Sequence, residues 1–204
     1  MEIQFFGANC VRLSAKKANV VIDDLEGTVA KAGDIALFTG VHEPPKTDVK
    51  LYIDQPGEYE VSDISIQGVA ARAHMDEAGK NSATIFKVTA GDLKVVFVGH
   101  IYPELNDQQL EAIGTVDILV VPVGGHGYTL DAVGALHIIK EIEPKLVIPT
   151  HYSDKAVKYD VPQATLEDAL KELAMEPKET VAKLKLKSGE LSDVMQLVVL
   201  ETSK

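Results

Sequence analysis

The stretch from residue 116 to residue 152, VDILVVPVGGHGYTLDAVGALHIIKEIEPKLVIPTHY, decides the fold. It begins with an apolar run over 116–123, which has the length and composition of a buried strand. A glycine-rich turn leads to a helical pattern over 131–142, which stops before Pro144 because the residue preceding a proline avoids the helical conformation. A second apolar run follows at 145–149. This order of strand, helix and strand predicts sheets covered by helices in a layered α/β or α+β fold.

The rest of the chain extends this pattern in both directions. Two further helices are predicted at 106–114 and 165–174, each with a capping residue followed by apolar positions at helical spacing. Short apolar runs separated by Gly, Asp, Asn or Pro predict strands. These runs lie at 2–6, 11–14, 19–22, 34–38, 50–53, 64–70, 83–89, 93–98, 181–186 and 194–200. Because no linker or low-complexity tract interrupts the chain, residues 1–204 are predicted to form one domain.

Composition and charge exclude several classes of protein. The 204 residues are 46% hydrophobic and 25% charged, which is typical of a globular protein. The formal net charge of −11 repels phosphate backbones, so nucleic acid is not an expected partner. No apolar run approaches the roughly 20 residues that cross a bilayer, and no signal-peptide pattern is visible, so we expect no membrane contact and a cytoplasmic location. The one cysteine, Cys10, is interpreted as a small core residue rather than a nucleophile.

The placement of the histidines is the most informative feature for function. Five of the six follow a predicted strand, and His137 lies inside a helical pattern. Residues at strand ends meet at one rim of a layered α/β protein, and neutral imidazoles at such a rim are common zinc ligands. A histidine can equally satisfy a main-chain carbonyl in its own loop. The candidates for one shared metal site are His42, His74, His100 and His151, whereas His126 in the turn GGHG is ambiguous.

Three stretches carry a resemblance to a known family. They are the opening IQFFGANCVRL with VVIDD, the middle DQPGEYEVSDISIQGVAARAH, and the second half quoted above. With them the chain resembles the metallo-β-lactamase-fold proteins, in particular the small branch of predicted zinc-dependent hydrolases related to the ascorbate-6-phosphate lactonases. The resemblance implies an αββα four-layer sandwich with a metal site along one edge of its two sheets.

The same resemblance implies which residues occupy the metal-ligand positions of the family. The first family motif, His-x-His-x-Asp-His, falls on residues 40–45, which read GVHEPP, so that only His42 is present among its four ligands. The next family histidine matches His74, and the terminal one matches His151. The bridging aspartate of the family falls on His100. A carboxylate bridges two metals with two oxygens, whereas an imidazole normally gives one lone pair to one metal, so these changes argue against a two-zinc centre.

Two alternatives remain for a metal. In the first, His42, His74 and His100 hold one zinc, with His151 as a fourth ligand or a hydrogen-bonding neighbour, and the zinc lowers the pKa of a bound water to about 7. In the second, the prolines at 44 and 45 reshape the loop so that no metal binds.

Five further residues are candidates for the rim of the site. Asp23 matches the early aspartate of the family under the same resemblance. The carboxylates of Glu43 and Asp76 either join the site or are solvated loop charges. His126 and Tyr128 lie in the glycine-rich loop.

Two functions follow from these alternatives. The first is a hydrolase with at most one zinc, whose metal-activated water attacks an ester, lactone or phosphoester in an unidentified small molecule. The second is a non-catalytic binding or scaffold protein of the same fold, monomeric or homo-oligomeric, that has lost its metals. The loop at 39–46 distinguishes them, because the first function requires His42 to point toward the other three histidines.

Restoring the bridging carboxylate alone should not restore activity. A His100→Asp variant still lacks ligands at Gly40, Pro44 and Pro45, so we expect it to hydrolyse a generic phosphodiester no faster than the wild type does. The measurement is a rate assay of both proteins with zinc or manganese supplied. Appreciable turnover by the single variant would show that this ligand count is wrong.

Overall fold

The computed structural model describes residues 1–187 and 189–203, and two β-sheets packed face to face form its core. In chain order the described elements are β1 (Glu2–Gly7), β2 (Cys10–Ser14), β3 (Asn19–Ile22), β4 (Ile35–Leu37), β5 (Leu51–Ile53), β6 (Gly57–Val61), β7 (Ile64–Ala71), β8 (Ala83–Ala90), β9 (Leu93–Phe97), α1 (Asp107–Ile113), β10 (Ile118–Pro122), α2 (Ala132–Ile142), β11 (Leu146–Thr150), α3 (Leu166–Leu173), β12 (Glu179–Val181), β13 (Leu184–Lys185) and β14 (Gln196–Leu200).

The first sheet has six strands in the order β13-β1-β2-β3-β4-β5. Strands β1, β2 and β3 pair antiparallel, and β3, β4 and β5 run parallel. Successive side chains of a strand point to opposite faces, and in β1 the alternate residues Ile3 and Phe5 are buried. That face of the sheet therefore packs into the shared core.

The second sheet has eight strands in the order β12-β14-β11-β10-β9-β8-β7-β6. Its β9, β10, β11, β14 and β12 are parallel, and β6 to β9 are antiparallel. Every residue of β10 and β11 is buried, as is typical of parallel strands covered on both faces. Helices α1 and α2 contact β7 and β10 of this sheet, and α3 contacts α2. The predicted layered α/β fold is confirmed.

All three predicted helices are confirmed, and their first turns explain why they begin where they do. Asn106 and Gln109 form a reciprocal capping box before α1. Asp131 caps α2 by accepting the N–H of Gly134, and Thr165 caps α3 in the same way. None of the described helices is long and apolar enough to cross a membrane.

Residues 181–186 do not form the single strand that their pattern predicts. Strand β12 ends at Val181 and pairs with β14 in the eight-stranded sheet, whereas β13 pairs with β1 in the six-stranded sheet. The chain therefore crosses from one sheet to the other within this run, and Leu184 is buried beyond the crossing. An apolar pattern indicates which residues are buried, but it does not indicate which sheet buries them.

One edge of the sandwich carries the ends of strands from both sheets. Gly99 lies there, after β9, with a φ of 61° that favours glycine. A Cβ at this position would lie 2.2 Å from Oγ1 of Thr39, which follows β4 of the other sheet. The missing side chain therefore lets the two sheets approach each other at this edge.

A Gly99→Ala variant should lose about 2–4 kcal/mol of unfolding free energy, because the new methyl group combines a strained φ with overpacking against Thr39. The matched control is Gly79→Ala, which also has a positive φ, 89°, but has nothing within 4 Å of the added Cβ. We expect a loss of only about 1–2 kcal/mol there. Chemical denaturation of the three proteins measures both losses, and equal losses would contradict the close approach at Gly99.

Candidate functional site

Two of the predicted site histidines lie against each other. His100 follows β9, His151 follows β11, and these strands flank β10 in the parallel part of the eight-stranded sheet. The two ring centroids are 4.7 Å apart and the rings meet edge to face at 86°. The carboxyl ends of parallel strands meet at the same edge of a sheet, which explains why two residues that are distant in sequence come into contact.

A side chain from the other sheet sets the orientation of His100. Nδ2 of Asn9, in the turn between β1 and β2, lies 3.1 Å from Nε2 of His100, and the hydroxyl of Thr150 donates to Oδ1 of Asn9 at 3.0 Å. The amide N–H of Asn9 is thus the donor and Nε2 of His100 is the acceptor, which places the imidazole proton on Nδ1. Nδ1 is buried and has no hydrogen-bond partner among the described residues.

His151 has the same tautomer, but here Nδ1 rather than Nε2 has the hydrogen-bond partner. Gln163 donates its amide N–H to the carbonyl of Val161 at 3.0 Å, so its Oε1 is free to accept from Nδ1 of His151 at 3.1 Å. The proton of His151 therefore lies on Nδ1, and Nε2 keeps its lone pair. No described residue hydrogen-bonds to that lone pair. The main chain of His151, which has a φ of 54°, donates to the carbonyl of Ala8 at 2.8 Å and joins this loop to the β1–β2 turn.

The rings of the other two predicted ligands are held by different contacts, although His74 adjoins His100 through its main chain. The main-chain N–H of His74 donates to the carbonyl of His100 at 2.7 Å, and its Nδ1 lies 3.3 Å from the carbonyl of Ile101. The ring of His42 stacks on Phe38 with centroids 4.5 Å apart, and its Nδ1 lies 2.7 Å from the carbonyl of Glu43. The imidazole of His42 is thus held by residues close to it in sequence, whereas that of His74 bonds to the loop after β9.

The four histidines do not form a coordination sphere in this conformation. Among residues 1–187 and 189–203, no three His, Cys, Asp or Glu side chains lie close enough together to hold a metal ion. The structure brings His100 and His151 together and leaves His42 and His74 outside a common set. Stacking on Phe38 holds the ring of His42, and the carbonyl of Ile101 lies beside the ring of His74.

Two of the predicted rim carboxylates are engaged inside the protein. Asp23 is buried, and its two oxygens accept the N–H and the hydroxyl of Thr39, each at 2.7 Å. Burial raises the pKa of Asp23 to about 6, against the lowering effect of those hydrogen bonds. Asp76 accepts from the main-chain N–H groups of Ala73 and Ser82 and from the Ser82 hydroxyl, so it organises the loop that carries His74.

The remaining rim candidates differ in exposure and position. Glu43 is an exposed loop charge, and His126 is exposed on the glycine-rich turn with a φ of 56°. Tyr128 is 52% exposed and lines a cleft beside the histidine pair. Cys10 also lines this cleft, but it is largely buried, and burial together with nearby carboxylates raises the pKa of its thiol far above the usual range. An unreactive thiol agrees with its interpretation as a core residue.

The cleft has a volume of about 1040 Å³ and lies between the two sheets' loops. One wall is the loop after β3, from Asp23 to Val29, and the opposite wall is the segment from Ala156 to Gln163. His100 and His151 line it between these walls, and the ring of Tyr159 packs on that of His151 with centroids 5.1 Å apart. A volume of this size suits a small-molecule ligand.

Sequence reasoning missed two residues that control the site, Asn9 and Gln163. Asn9 lies in the quoted opening stretch, but nothing in the sequence indicates that its amide faces a histidine 91 residues away. Gln163 lies in the stretch VPQAT, which matches no motif. A strand-end histidine needs a second group to orient its ring, and only the tertiary structure identifies that group.

Burial favours the neutral form of both rings of the pair. Burial, together with the neighbouring His151 and His74, lowers the pKa of His100 to about 4. Burial also lowers the pKa of His151, although the hydrogen bond from its ring to Gln163 opposes the change. The pair therefore presents hydrogen-bonding groups rather than positive charge.

Comparison with known proteins agrees with this fold. The family model for the Beta-lactamase superfamily domain matches residues 2–151, which is most of the chain. The chain belongs to the beta-lactamase superfamily. The family resemblance inferred from the sequence is thereby confirmed.

Individual members of the superfamily show how far the similarity extends. A Thermotoga maritima protein of the metallo-beta-lactamase superfamily, known from its crystal structure, is 27% identical with a TM-score of 0.77 over 98% of this chain and 97% of that one. A UPF0173 protein of Pyrococcus abyssi is 25% identical over 74% of this chain and 83% of its own length. A UPF0173 metal-dependent hydrolase of Thermoplasma acidophilum is 45% identical over 49 residues, which are 22% of this chain and only 21% of that protein.

The buried His100 should make stability depend on pH. A base whose folded-state pKa lies below its ordinary value of 6.5 stabilises the folded state above that value, and the stabilisation is lost as the pH falls toward 4 because the unfolded chain binds the proton. From pH 7 to pH 5 the loss is about 2 kcal/mol. The raised pKa of Asp23 acts in the opposite direction between about pH 4 and pH 6.

The contribution of His100 is separated by comparing the wild type with a His100→Gln variant, in which Asp23 is unchanged. We expect the variant to lose less unfolding free energy than the wild type on acidification, measured by urea denaturation at each pH. His137→Gln on the exposed face of α2 is the control and should follow the wild type. Parallel curves for the wild type and His100→Gln would contradict a neutral, buried His100.

Proposed function

We propose that this protein is a small-molecule-binding member of the superfamily that works without a two-metal centre. One observation carries the proposal, namely that Nε2 of His100 accepts a hydrogen bond from the amide of Asn9 while Nδ1 is buried. A lone pair that accepts a hydrogen bond is not available to a metal, and the second nitrogen holds the proton. His100 is therefore a structural neighbour of the site rather than a ligand.

The donors at the other positions also do not fit two metal ions. The resemblance places the bridging carboxylate of the family at residue 100, where an imidazole cannot bridge. Gly40, Pro44 and Pro45 offer no side-chain ligand, and Asp23 uses both oxygens on Thr39. These features support a site organised by hydrogen bonds.

The cleft supplies what binding needs. It lies between the loop after β3 and the segment before α3, and its apolar lining includes Phe6, Leu25 and Val161. His151 offers one directed acceptor, because Gln163 holds the ring with the Nε2 lone pair free. A few placed polar groups among apolar residues give a ligand site its specificity.

A hydrolase with one metal ion is the second candidate, and a specific observation favours it. In His42, His74 and His151, the atom Nδ1 lies near an oxygen acceptor, so each ring keeps a lone pair on Nε2. Metal-binding histidines commonly have this arrangement, in which the second nitrogen donates to a carbonyl or amide oxygen. The similarity to the Thermoplasma acidophilum protein, which is named a metal-dependent hydrolase, points the same way. The three rings would have to move together to share one ion.

Metal content distinguishes the two candidates. The protein is purified without a metal-binding tag, supplied with zinc, passed over a desalting column and measured by mass spectrometry for zinc, nickel, manganese and iron. We expect far less than one metal ion per chain, with no difference between the wild type and a variant carrying His74→Ala and His151→Ala. His137→Ala is the control for a single exposed histidine. One ion per chain that is lost in the double variant would overturn the proposal in favour of the hydrolase.

A further inference from the structure

The charges that line the cleft are mostly negative. Four carboxylates line it, those of Asp23, Asp24, Glu26 and Asp160, against one ammonium group, that of Lys158. Like charges in a cleft with apolar walls reinforce one another, so the field at the site repels anions and attracts cations.

The carboxylate of Asp24 is held rigidly in the wall of the cleft. It accepts the main-chain N–H groups of Thr28, Val29 and Ala30 at 3.1, 2.9 and 2.7 Å. These bonds fix the loop after β3 in place, so that Glu26 stands at its exposed tip. Asp160 is exposed on the opposite wall, and the two free carboxylates therefore face the cleft from both sides.

A second observation identifies what kind of group approaches the histidine pair. His151 is 9% exposed and lines the cleft, and Gln163 holds its proton on Nδ1. The free Nε2 is then a hydrogen-bond acceptor with no partner among the described residues. A ligand in the cleft can therefore donate a hydrogen bond to it. A protonated amine both donates hydrogen bonds and carries positive charge.

The rest of the lining suits an apolar body attached to such a group. Phe6, Leu25, Val29, Val157 and Val161 contribute apolar surface, and the rings of Tyr128 and Tyr159 lie in the same cleft. Tyrosine ring faces attract ammonium groups, which adds to the preference for a cation.

We propose that the cleft binds an organic ammonium ion with an apolar body, whose ammonium group donates to Nε2 of His151. The inference rests on the proposed function, since it assigns the lone pair of His151 to a ligand rather than to a metal. The ligand expected from the chemistry of the cleft is a cation that only donates hydrogen bonds and is attached to an apolar chain or ring.

The test compares three probes of one shape and different charge, 4-phenylbutylamine, 4-phenylbutan-1-ol and 4-phenylbutanoate. Each is titrated into the full chain and followed by NMR chemical shifts. We expect the amine to bind at least about tenfold more tightly than the other two at low ionic strength and to weaken as salt is added. The Nε2 nitrogen signal of His151 should shift with the amine and not with the carboxylate.

Charge-neutral variants locate the effect in the cleft. Glu26→Gln and Asp160→Asn should each weaken amine binding by about threefold and leave the alcohol unaffected. Both side chains are exposed, so the variants should fold. The matched control is Glu111→Gln on the exposed side of α1, which should bind the amine as the wild type does.

The contrary outcomes separate a failure of the ammonium site from a failure of the proposed function. Equal binding of the amine and the alcohol, or no shift at His151, would overturn the ammonium site while leaving a binding protein. Tighter binding of the carboxylate, or no binding of any probe, would overturn it as well. One metal ion per chain, bound through His151, would overturn both this inference and the proposed function.

Discussion

The amide of Asn9 joins the two sheets at the edge that carries the site. It belongs to the turn between β1 and β2 of the six-stranded sheet, and it contacts Thr150 and His100 at the ends of β11 and β9 in the eight-stranded sheet. Because the hydroxyl of Thr150 orients the amide, the amide in turn decides which nitrogen of His100 carries the proton. The chemistry available at the site depends on this one side chain.

Hydrogen bonds hold loops from different strands together at this edge. The carbonyl of His100 accepts from the main chain of His74, and the main chain of His151 donates to the carbonyl of Ala8. Gly99 makes the arrangement feasible, since any side chain there would meet Thr39. Buried polar groups are costly unless they are paired, so a connected network of this kind also favours one arrangement of the loops.

Much of the fold could be predicted because it depends on local patterns. The capping residues Asp131 and Thr165 indicated where helices begin, and the apolar runs indicated most strands. Strand β6 was not among those runs, because its residues alternate between exposed and half-buried at the edge of a sheet. The prediction of a single strand at 181–186 was wrong, since the two halves of this run belong to different sheets. Which sheet accepts a short segment depends on neighbours that are distant in sequence.

The sequence by itself determined the family, the layered α/β fold, and the fact that His100 and His151 follow strands and lie at one rim. Only the tertiary structure decided that these two rings touch, that His42 instead stacks on Phe38, and that Asn9 and Gln163 orient the pair. The physical reason is the range of the interactions. Helix caps and hydrophobic periodicity act over a few residues, whereas the availability of an imidazole lone pair depends on a single hydrogen bond from elsewhere in the chain.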